Sequence, residues 1–204
     1  MKGCLTIIYK TIIAVLVFFG LLHLGVIDFI KDKLEERNSG ASQEKMIEKA
    51  KDVIDLSALS ASDGEYTIDK NLKVLQNRMI VAEHNATGQK MIMIEPRKEN
   101  ILTKEDITSE NIQEKIESTL QKYKYQLVKF ENIKVTKKSE MQGIGQKVPY
   151  VKVSAEISNL PMKDVEGILG VAELSNGKNL IVISVNEKGK YSQIITDAFY
   201  KQVK

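Results

Sequence analysis

Hydrophobic residues are distributed unevenly along this chain, and the longest apolar run lies close to its N-terminus. Residues 11–30, TIIAVLVFFGLLHLGVIDFI, carry no charged side chain before Asp28. A helix needs roughly 20 apolar residues to cross the hydrocarbon core of a bilayer, which is about 30 Å thick. The run therefore predicts an N-terminal membrane anchor over residues 1–30, in contact with the lipid bilayer through residues 11–30.

Two other interpretations of this run agree less well with its flanks. A cleaved signal peptide would have a shorter apolar region followed closely by small residues, whereas Asp28-Phe29-Ile30-Lys31 follows here. A buried helix of a soluble core would have to be surrounded on all sides by one domain. We therefore expect an uncleaved, single-pass anchor. Lys and Arg are nearly balanced across it, and a short tail before a long domain favours an extracytoplasmic C-terminal domain on a bacterial cell membrane.

Residues 31–64 predict a charged juxtamembrane helix and a linker. Residues 31–37 are mostly charged, and a small polar break follows them. A second short helix is predicted after Ser42, its N-cap, because the next apolar residues recur on one helical face. These residues are Met46, Ile47, Ala50, Val53 and Ile54. The small and polar residues 57–64, SALSASDG, are typical of a linker.

From residue 65 the pattern changes to that of strands. Residues 72–82 and 90–94 predict two strands around the turn-rich residues 84–88. A helix is predicted next, because apolar residues recur at helical spacing with charges opposite them. Its acidic start at Lys104-Glu105-Asp106 suits the helix dipole. The apolar positions are Ile112, Ile116, Leu120 and Tyr123.

The last third of the chain predicts further antiparallel strands and a final helix. Residues 130–135 predict a strand, and residues 148–157, VPYVKVSAEI, alternate apolar and polar positions as in a sheet with one buried face. Residues 168–174 and 180–185 flank an Asn-Gly pair, the strongest short signal for a hairpin. Ser192 fits the N-cap of a C-terminal helix. The predicted buried stripe of that helix is Ile194, Ile195, Ala198, Phe199 and Val203.

These elements together predict an α+β fold, an antiparallel sheet flanked by helices over residues 65–204. Three segments, VPYVKVSAEI, ILGVAELSNGKNLIVISV and YSQIITDAFYKQV, resemble the end of the PsbP-like superfamily, whose founding members are extrinsic proteins of photosystem II. The resemblance covers about residues 65–204. It implies an α/β/α sandwich and a non-enzymatic domain that docks on, or helps to assemble, membrane complexes. The predicted membrane span departs from the soluble members.

Composition and charge limit the classes of function that this protein can be expected to have. The chain has 204 residues, 28% charged and 43% hydrophobic, with a net charge of +3. These values are ordinary for a globular domain. Basic residues form no dominant block and are not interleaved with aromatic residues, so we expect no nucleic-acid partner. The single cysteine, Cys4, precedes the apolar run, and the domain is expected to fold without disulfides.

The sequence offers few candidate residues for catalysis or for binding a metal or cofactor. The two histidines are His23, within the apolar run, and His84, expected to be a solvated turn residue, so no serine or cysteine has a predicted base. No Cys/His cluster or calcium-loop pattern is present. Gly143-Ile144-Gly145 lacks the third glycine of a dinucleotide site and predicts a hairpin loop. Asn85-Ala86-Thr87 matches a glycosylation acceptor, a match that is frequent by chance. The sequence therefore predicts no catalytic, cofactor-binding or metal-binding residue and no small-molecule substrate.

The sequence as a whole predicts a membrane-anchored, non-enzymatic domain that acts through contact with an unknown protein partner. Two alternatives stay open. The first is a membrane-tethered hydrolase with carboxylates far apart in sequence, which would have a polar cleft and a carboxyl group of raised pKa. The second is a regulatory domain that faces the cytoplasm.

Overall fold

The computed structural model describes residues 43–61, 64–74, 77–96, 102–121, 129–158 and 164–204. They form four α-helices, one 3-10 helix and seven β-strands. The helices are α1 (Gln43–Ala50), α2 (Lys104–Thr108), α3 (Ile112–Gln121) and α4 (Gln193–Gln202), and the 3-10 helix covers Ser57–Ala61. The strands are β1 (Tyr66–Val74), β2 (Asn77–His84), β3 (Gln89–Glu95), β4 (Lys129–Gly143), β5 (Gln146–Ser158), β6 (Asp164–Glu173) and β7 (Asn179–Glu187).

All seven strands belong to one antiparallel sheet with the order β1-β2-β3-β7-β6-β5-β4. Hairpins join β1 to β2, β2 to β3, β4 to β5, and β6 to β7. The two halves of the sheet meet where β3 pairs with β7, for example at Ile92 opposite Ile183. β1 and β4 are therefore the two edges, and the fold is of the predicted α+β class.

Helices cover both faces of the sheet, because its central strands are apolar on both sides. In β2, β3 and β7, successive residues enter two separate buried clusters, as the two-residue period of a strand requires. One cluster includes Met91, Met93 and Val182 and lies beneath α1 and α4. The other includes Ile92 and Ile183 and lies beneath α2 and α3. We call these the α4 face and the α2 face.

On the α4 face, the first and last described segments close the core together. Met46, Ile47 and Ala50 of α1 pack into the same cluster as Phe199 and Tyr200 of α4. The backbone of Asp55 pairs with that of Lys204, with N···O distances of 2.7 and 3.1 Å. The predicted apolar stripe of α1 is thus confirmed at Met46, Ile47, Ala50 and Ile54, and residues 43–61 form part of the folded unit.

Tyr200 of α4 carries a polar hydroxyl group into the core. Its side chain is fully buried, and its hydroxyl lies 2.7 Å from the carbonyl oxygen of Ile183 and 3.2 Å from that of Ile92. Helix and sheet approach closely at Gly143, where a Cβ atom would lie 2.9 Å from Tyr200 Cβ. The backbone N–H of Ile144 also donates to the carbonyl of Tyr200. The helix is therefore fixed to β3, β7 and the β4–β5 turn.

On the α2 face, the acidic start predicted for the helix after residue 103 is observed. Thr103 and Asp106 form a capping box, in which each side chain accepts a hydrogen bond from the other's backbone N–H. Asp106 also pairs with Lys115 of α3. The single predicted helix is divided into α2 and α3, because Ser109 adopts an extended conformation at the end of α2.

Several other local predictions are confirmed, and some are corrected. The Asn-Gly hairpin joins β6 to β7 as predicted, with Gly177 at a φ of 76°. The strand predicted over residues 72–82 is instead the end of β1 and the start of β2, since Val74 pairs with Asn77 across a reversal. Residues 57–61 of the expected linker form a 3-10 helix whose Leu59 is buried.

The predicted buried stripe of α4 requires a correction at Ile194. Its side chain is 81% exposed, whereas Thr196, Phe199, Tyr200 and Val203 are buried. A stripe chosen by hydrophobicity cannot anticipate that the polar groups of Thr196 and Tyr200 find partners inside the core. Ser192 is the N-cap as predicted, with its hydroxyl accepting from the N–H of Ile195.

The predicted anchor over residues 1–30 lies outside the described residues. Within the described residues, no helix is both long enough and apolar enough to cross a membrane.

Candidate functional site

Polar side chains meet in the interior between the sheet and α4. Gln89 at the start of β3, Ser184 of β7 and Thr196 of α4 are fully buried, and Tyr191 lies beside them half-buried. Gln89 Nε2 is 2.9 Å from both Ser184 Oγ and Thr196 Oγ1. Thr196 Oγ1 is 2.8 Å from Ser184 Oγ and 3.1 Å from the Tyr191 hydroxyl. We call these four residues the buried polar cluster.

The cluster is tied to the N-terminus of α4 through Gln89. The backbone N–H of Ser192 donates to Gln89 Oε1 at 2.8 Å, and Gln89 Nε2 lies 2.9 Å from the Ser192 carbonyl oxygen. One side-chain amide thus binds both backbone groups of the residue that caps the helix. Because buried polar groups without partners are costly, this arrangement fixes the helix in one position on the sheet.

The buried polar cluster lacks the arrangement that would activate a serine. Among the described residues, the hydrogen-bond partners of Ser184 Oγ are Gln89 and Thr196, and neither is a base. Burial raises the pKa of Tyr191, partly opposed by its hydrogen bond with Thr196, so its hydroxyl stays protonated at neutral pH. The geometry favours a structural role for the cluster.

His84 is buried, which corrects the prediction of a solvated turn residue. It ends β2 with a side chain in contact with the Tyr66 ring, at a centroid distance of 5.3 Å, and the residue is 8% exposed. Its Nδ1 is 2.9 Å from Thr87 Oγ1, and its Nε2 is 3.5 Å from Glu65 Oε1. Sequence reasoning placed His84 in the turn because the following residues are turn-forming. The hairpin instead leaves its side chain on the α4 face, where it contacts the Tyr66 ring, which in turn contacts Phe199.

Ion pairs stabilise both faces of the sheet. On the α2 face, Lys90 pairs with Glu83 and lies 3.8 Å from an oxygen of Asp69. On the α4 face, Lys152 Nζ is 2.5 Å from Glu166 Oε1 and 5.4 Å from the centre of the Tyr191 ring. The Lys90–Glu83 and Lys152–Glu166 pairs each connect two neighbouring strands of the sheet.

The two edges of the sheet are built differently. At β1, the side-chain amide of Gln43 bonds both backbone groups of Ile68, accepting from its N–H at 2.7 Å and donating to its oxygen at 3.1 Å. Helix α1 therefore caps part of this edge. β4, with 15 residues, is the longest described strand and forms the opposite edge. Most of its side chains from Glu131 to Glu140 are exposed.

Three of the four lysines of β4, namely Lys134, Lys137 and Lys138, lie in its exposed stretch. Lys138 points to the α2 face, where its Nζ donates to the Ser109 carbonyl oxygen at 2.6 Å. Lys134 and Lys137 lie on the α4 face, because they pair in register with Ser154 and Lys152 of β5. Both are exposed. Sequence reasoning missed this pair, since residues three apart on a regular strand would point to opposite faces.

The other residues considered from sequence are not brought together. Asn85 and Thr87 lie in the β2–β3 turn, where Asn85 is exposed and accepts from the Thr67 hydroxyl at 2.9 Å. Ile144 and Gly145 form the predicted β4–β5 hairpin turn, both with positive φ. Cys4 and His23 lie outside the described residues. In the described part of the chain, no group of three or more His, Cys, Asp or Glu side chains could hold a metal ion.

In comparisons with known proteins, the chain matches no protein-family model and no curated protein sequence.

Proposed function

We propose that this chain is a single-pass membrane protein whose PsbP-like α+β domain is non-enzymatic and binds another protein by direct contact. The apolar residues 11–30 supply the anchor, and the domain lies on the extracytoplasmic side. The partner binds at β4, the edge of the sheet that the described helices leave open.

The observation that supports this proposal most directly is the asymmetry of the sheet edges. An edge strand presents unpaired backbone N–H and C=O groups, and folded proteins commonly keep such strands short or covered. Gln43 covers Ile68 at the β1 edge, whereas β4 is the longest described strand. An extended segment of a partner can add to such an edge by main-chain hydrogen bonds.

The position of β4 in the sheet is also compatible with a domain that is tethered to a membrane. The chain enters the described domain at α1, beside β1, and six strand spacings of about 4.8 Å place β4 roughly 29 Å away. A partner can therefore approach β4 without contacting the point where the chain enters the domain.

Site-specific photo-crosslinking in native membranes tests this proposal. A photoreactive residue is placed at Glu140 on β4, and a matched one at Glu114 on α3, since both positions are exposed. We expect a discrete adduct with a second protein from position 140 and none from position 114. Equal labelling from both positions, or adducts with lipid alone, would contradict contact through β4.

Membrane attachment and sidedness require separate measurements. We expect the full chain to stay in the membrane pellet after carbonate extraction. A reporter joined to Lys204 through a flexible linker should be active only outside the cytoplasm, and the linker is needed because the Lys204 backbone pairs with Asp55. A carbonate-soluble chain would refute the anchor, and a reporter active inside would support a cytoplasm-facing regulator instead.

A further inference from the structure

The chemistry of the partner can be inferred from β4, on the basis of the function proposed above. A bulge between Val135 and Lys137 shifts the register against β5, so that Lys134 opposes Ser154 and Lys137 opposes Lys152. Ser154 and Lys152 are two residues apart on a regular strand and share a face. The bulge therefore brings Lys134 and Lys137 to the same face, about 7 Å apart along the strand.

This placement brings like charges together. Lys137 and Lys152 are direct cross-strand neighbours, an arrangement that is destabilising for two residues of the same charge. The ammonium group of Lys152 is neutralised by Glu166 at 2.5 Å. Within the described residues, neither Lys134 nor Lys137 has an ion-pair partner. Glu131 and Glu156 oppose each other at the next pair along the same face, so the cationic feature is confined to Lys134 and Lys137, which the described fold does not use in an ion pair.

The same lysines control what can add to the edge. Lysines on an edge strand oppose pairing with ordinary strands, and a second copy of β4 would be repelled in any register that places its Lys134 and Lys137 against these two lysines. Opposite charges at these positions turn the repulsion into attraction, which gives selectivity for the complementary partner. From Lys137 to Gly143 the register with β5 is regular, so this stretch can template a strand of ordinary length.

We propose that β4 binds an extended acidic segment of another protein, which adds as an eighth strand and places two acidic side chains, two residues apart, against Lys134 and Lys137. Main-chain hydrogen bonds to the edge of β4 supply register-independent affinity. The two ion pairs set the register and exclude neutral or basic segments.

Binding of synthetic peptides to the full chain in non-ionic detergent micelles tests this inference. The probe is a ten-residue peptide of alternating Glu and Val with a neutral fluorescent label, followed by fluorescence anisotropy. One control peptide carries Lys in place of Glu, and another has the same acidic sequence with every second backbone amide methylated. We expect saturable binding of the acidic peptide alone, because methylation removes the donors that strand pairing needs.

Charge-reversal variants locate the site. Lys134→Glu together with Lys137→Glu should weaken binding of the acidic peptide by about tenfold or more, since two attractions become repulsions. Lys147→Glu together with Lys201→Glu makes the same change in net charge at two other exposed positions and should change the affinity less than about twofold. Circular dichroism of both variants checks that the fold is retained.

Five results would overturn the inference. If the methylated peptide bound as tightly as its unmethylated parent, binding would depend on ion pairs and would not involve strand addition. An equal loss in both double variants would mean attraction by overall charge. If vesicles rich in anionic lipid displaced the peptide completely, the ligand of β4 would be a membrane surface. If the chain self-associated in a way that requires β4, the ligand would be a second copy of this chain. If the peptide fails to bind while the position-140 adduct persists, the acidic partner is refuted and the proposed protein contact stands.

Discussion

The buried hydroxyl of Tyr200 predicts a pH-dependent contribution to stability. Burial raises the pKa of Tyr200 well above its ordinary value near 10. The unfolded chain therefore ionises this tyrosine above pH 10 while the folded chain keeps it neutral. The contribution of Tyr200 to the free energy of unfolding is therefore complete below pH 10 and is lost as the pH rises above 10. One pH unit above 10, the linkage costs the folded state about 1.4 kcal/mol.

Replacing Tyr200 with Phe separates the pH-dependent cost of ionisation from the contribution of the hydroxyl's hydrogen bonds. At pH 8, Tyr200→Phe should lower the free energy of unfolding by about 1 kcal/mol, because the contacts with the carbonyls of Ile183 and Ile92 are lost. At pH 11 the variant no longer carries the ionisation cost of about 1.4 kcal/mol. The difference from wild type should therefore vanish or change sign by a few tenths of a kcal/mol.

Urea denaturation of the full chain in non-ionic detergent, followed by circular dichroism at pH 8 and pH 11, measures the effect. Phe199→Leu is the matched control, since Phe199 is the buried neighbour of Tyr200 but has no ionisable group. Its cost, about 1 kcal/mol, should be the same at both pH values. A Tyr200→Phe deficit that is equal at pH 8 and pH 11 would refute the reasoning from burial.

Three further substitutions test the packing of the sheet and the ends of its helices. Gly167→Ala should lower the free energy of unfolding by roughly 3 kcal/mol or more in thermal denaturation, because its Cβ would overlap the carbonyl oxygen of Ser184 in the adjacent central strand. Gln43→Ala should speed hydrogen exchange of the Ile68 amide about tenfold, since that N–H loses its acceptor. Thr103→Ala should cost about 1 kcal/mol in urea denaturation through loss of the N-cap of α2.

Each of these has a control at a position without the stated contact. Gly177→Ala introduces a Cβ with no neighbour within 4 Å, although at positive φ, and should cost only about 1 kcal/mol. Gln113→Ala on the exposed side of α3 should leave exchange at Ile68 unchanged. Thr136→Ala removes an exposed threonine hydroxyl that caps no helix. Equal effects of a substitution and its control would contradict the assigned contact.

Local sequence rules predicted the elements whose signals are short-range. The Asn-Gly hairpin between β6 and β7 and the Ser192 N-cap both follow from residues within a few positions of one another. The same holds for the apolar stripe of α1 and for the alternation of Val151 and Val153 in β5. These features depend on the backbone preferences of individual residues and on the spacing of apolar side chains, and both can be read from the sequence.

Features that depend on long-range pairing were not accessible in this way. A local feature, the hairpin between β1 and β2, was also missed, because no strong turn signal lies between Val74 and Asn77. The burial of Thr196 in place of Ile194 depends on Gln89 and Ser184, and the burial of His84 depends on the Tyr66 ring of the neighbouring strand β1. A polar side chain is buried when its hydrogen bonds can be satisfied, and only the folded arrangement shows where those partners are.

The sequence by itself determined the apolar run at residues 11–30, the α+β composition of the domain and most of its hairpins, because each rests on a local pattern of apolar and polar residues. Only the tertiary structure decided that β3 pairs with β7, which makes β1 and β4 the edges. It also decided that Lys134 and Lys137 share a face, since a bulge is defined by the register between two strands. Register is a relation between segments, and for that reason the open cationic edge of β4 could not be predicted from either strand alone.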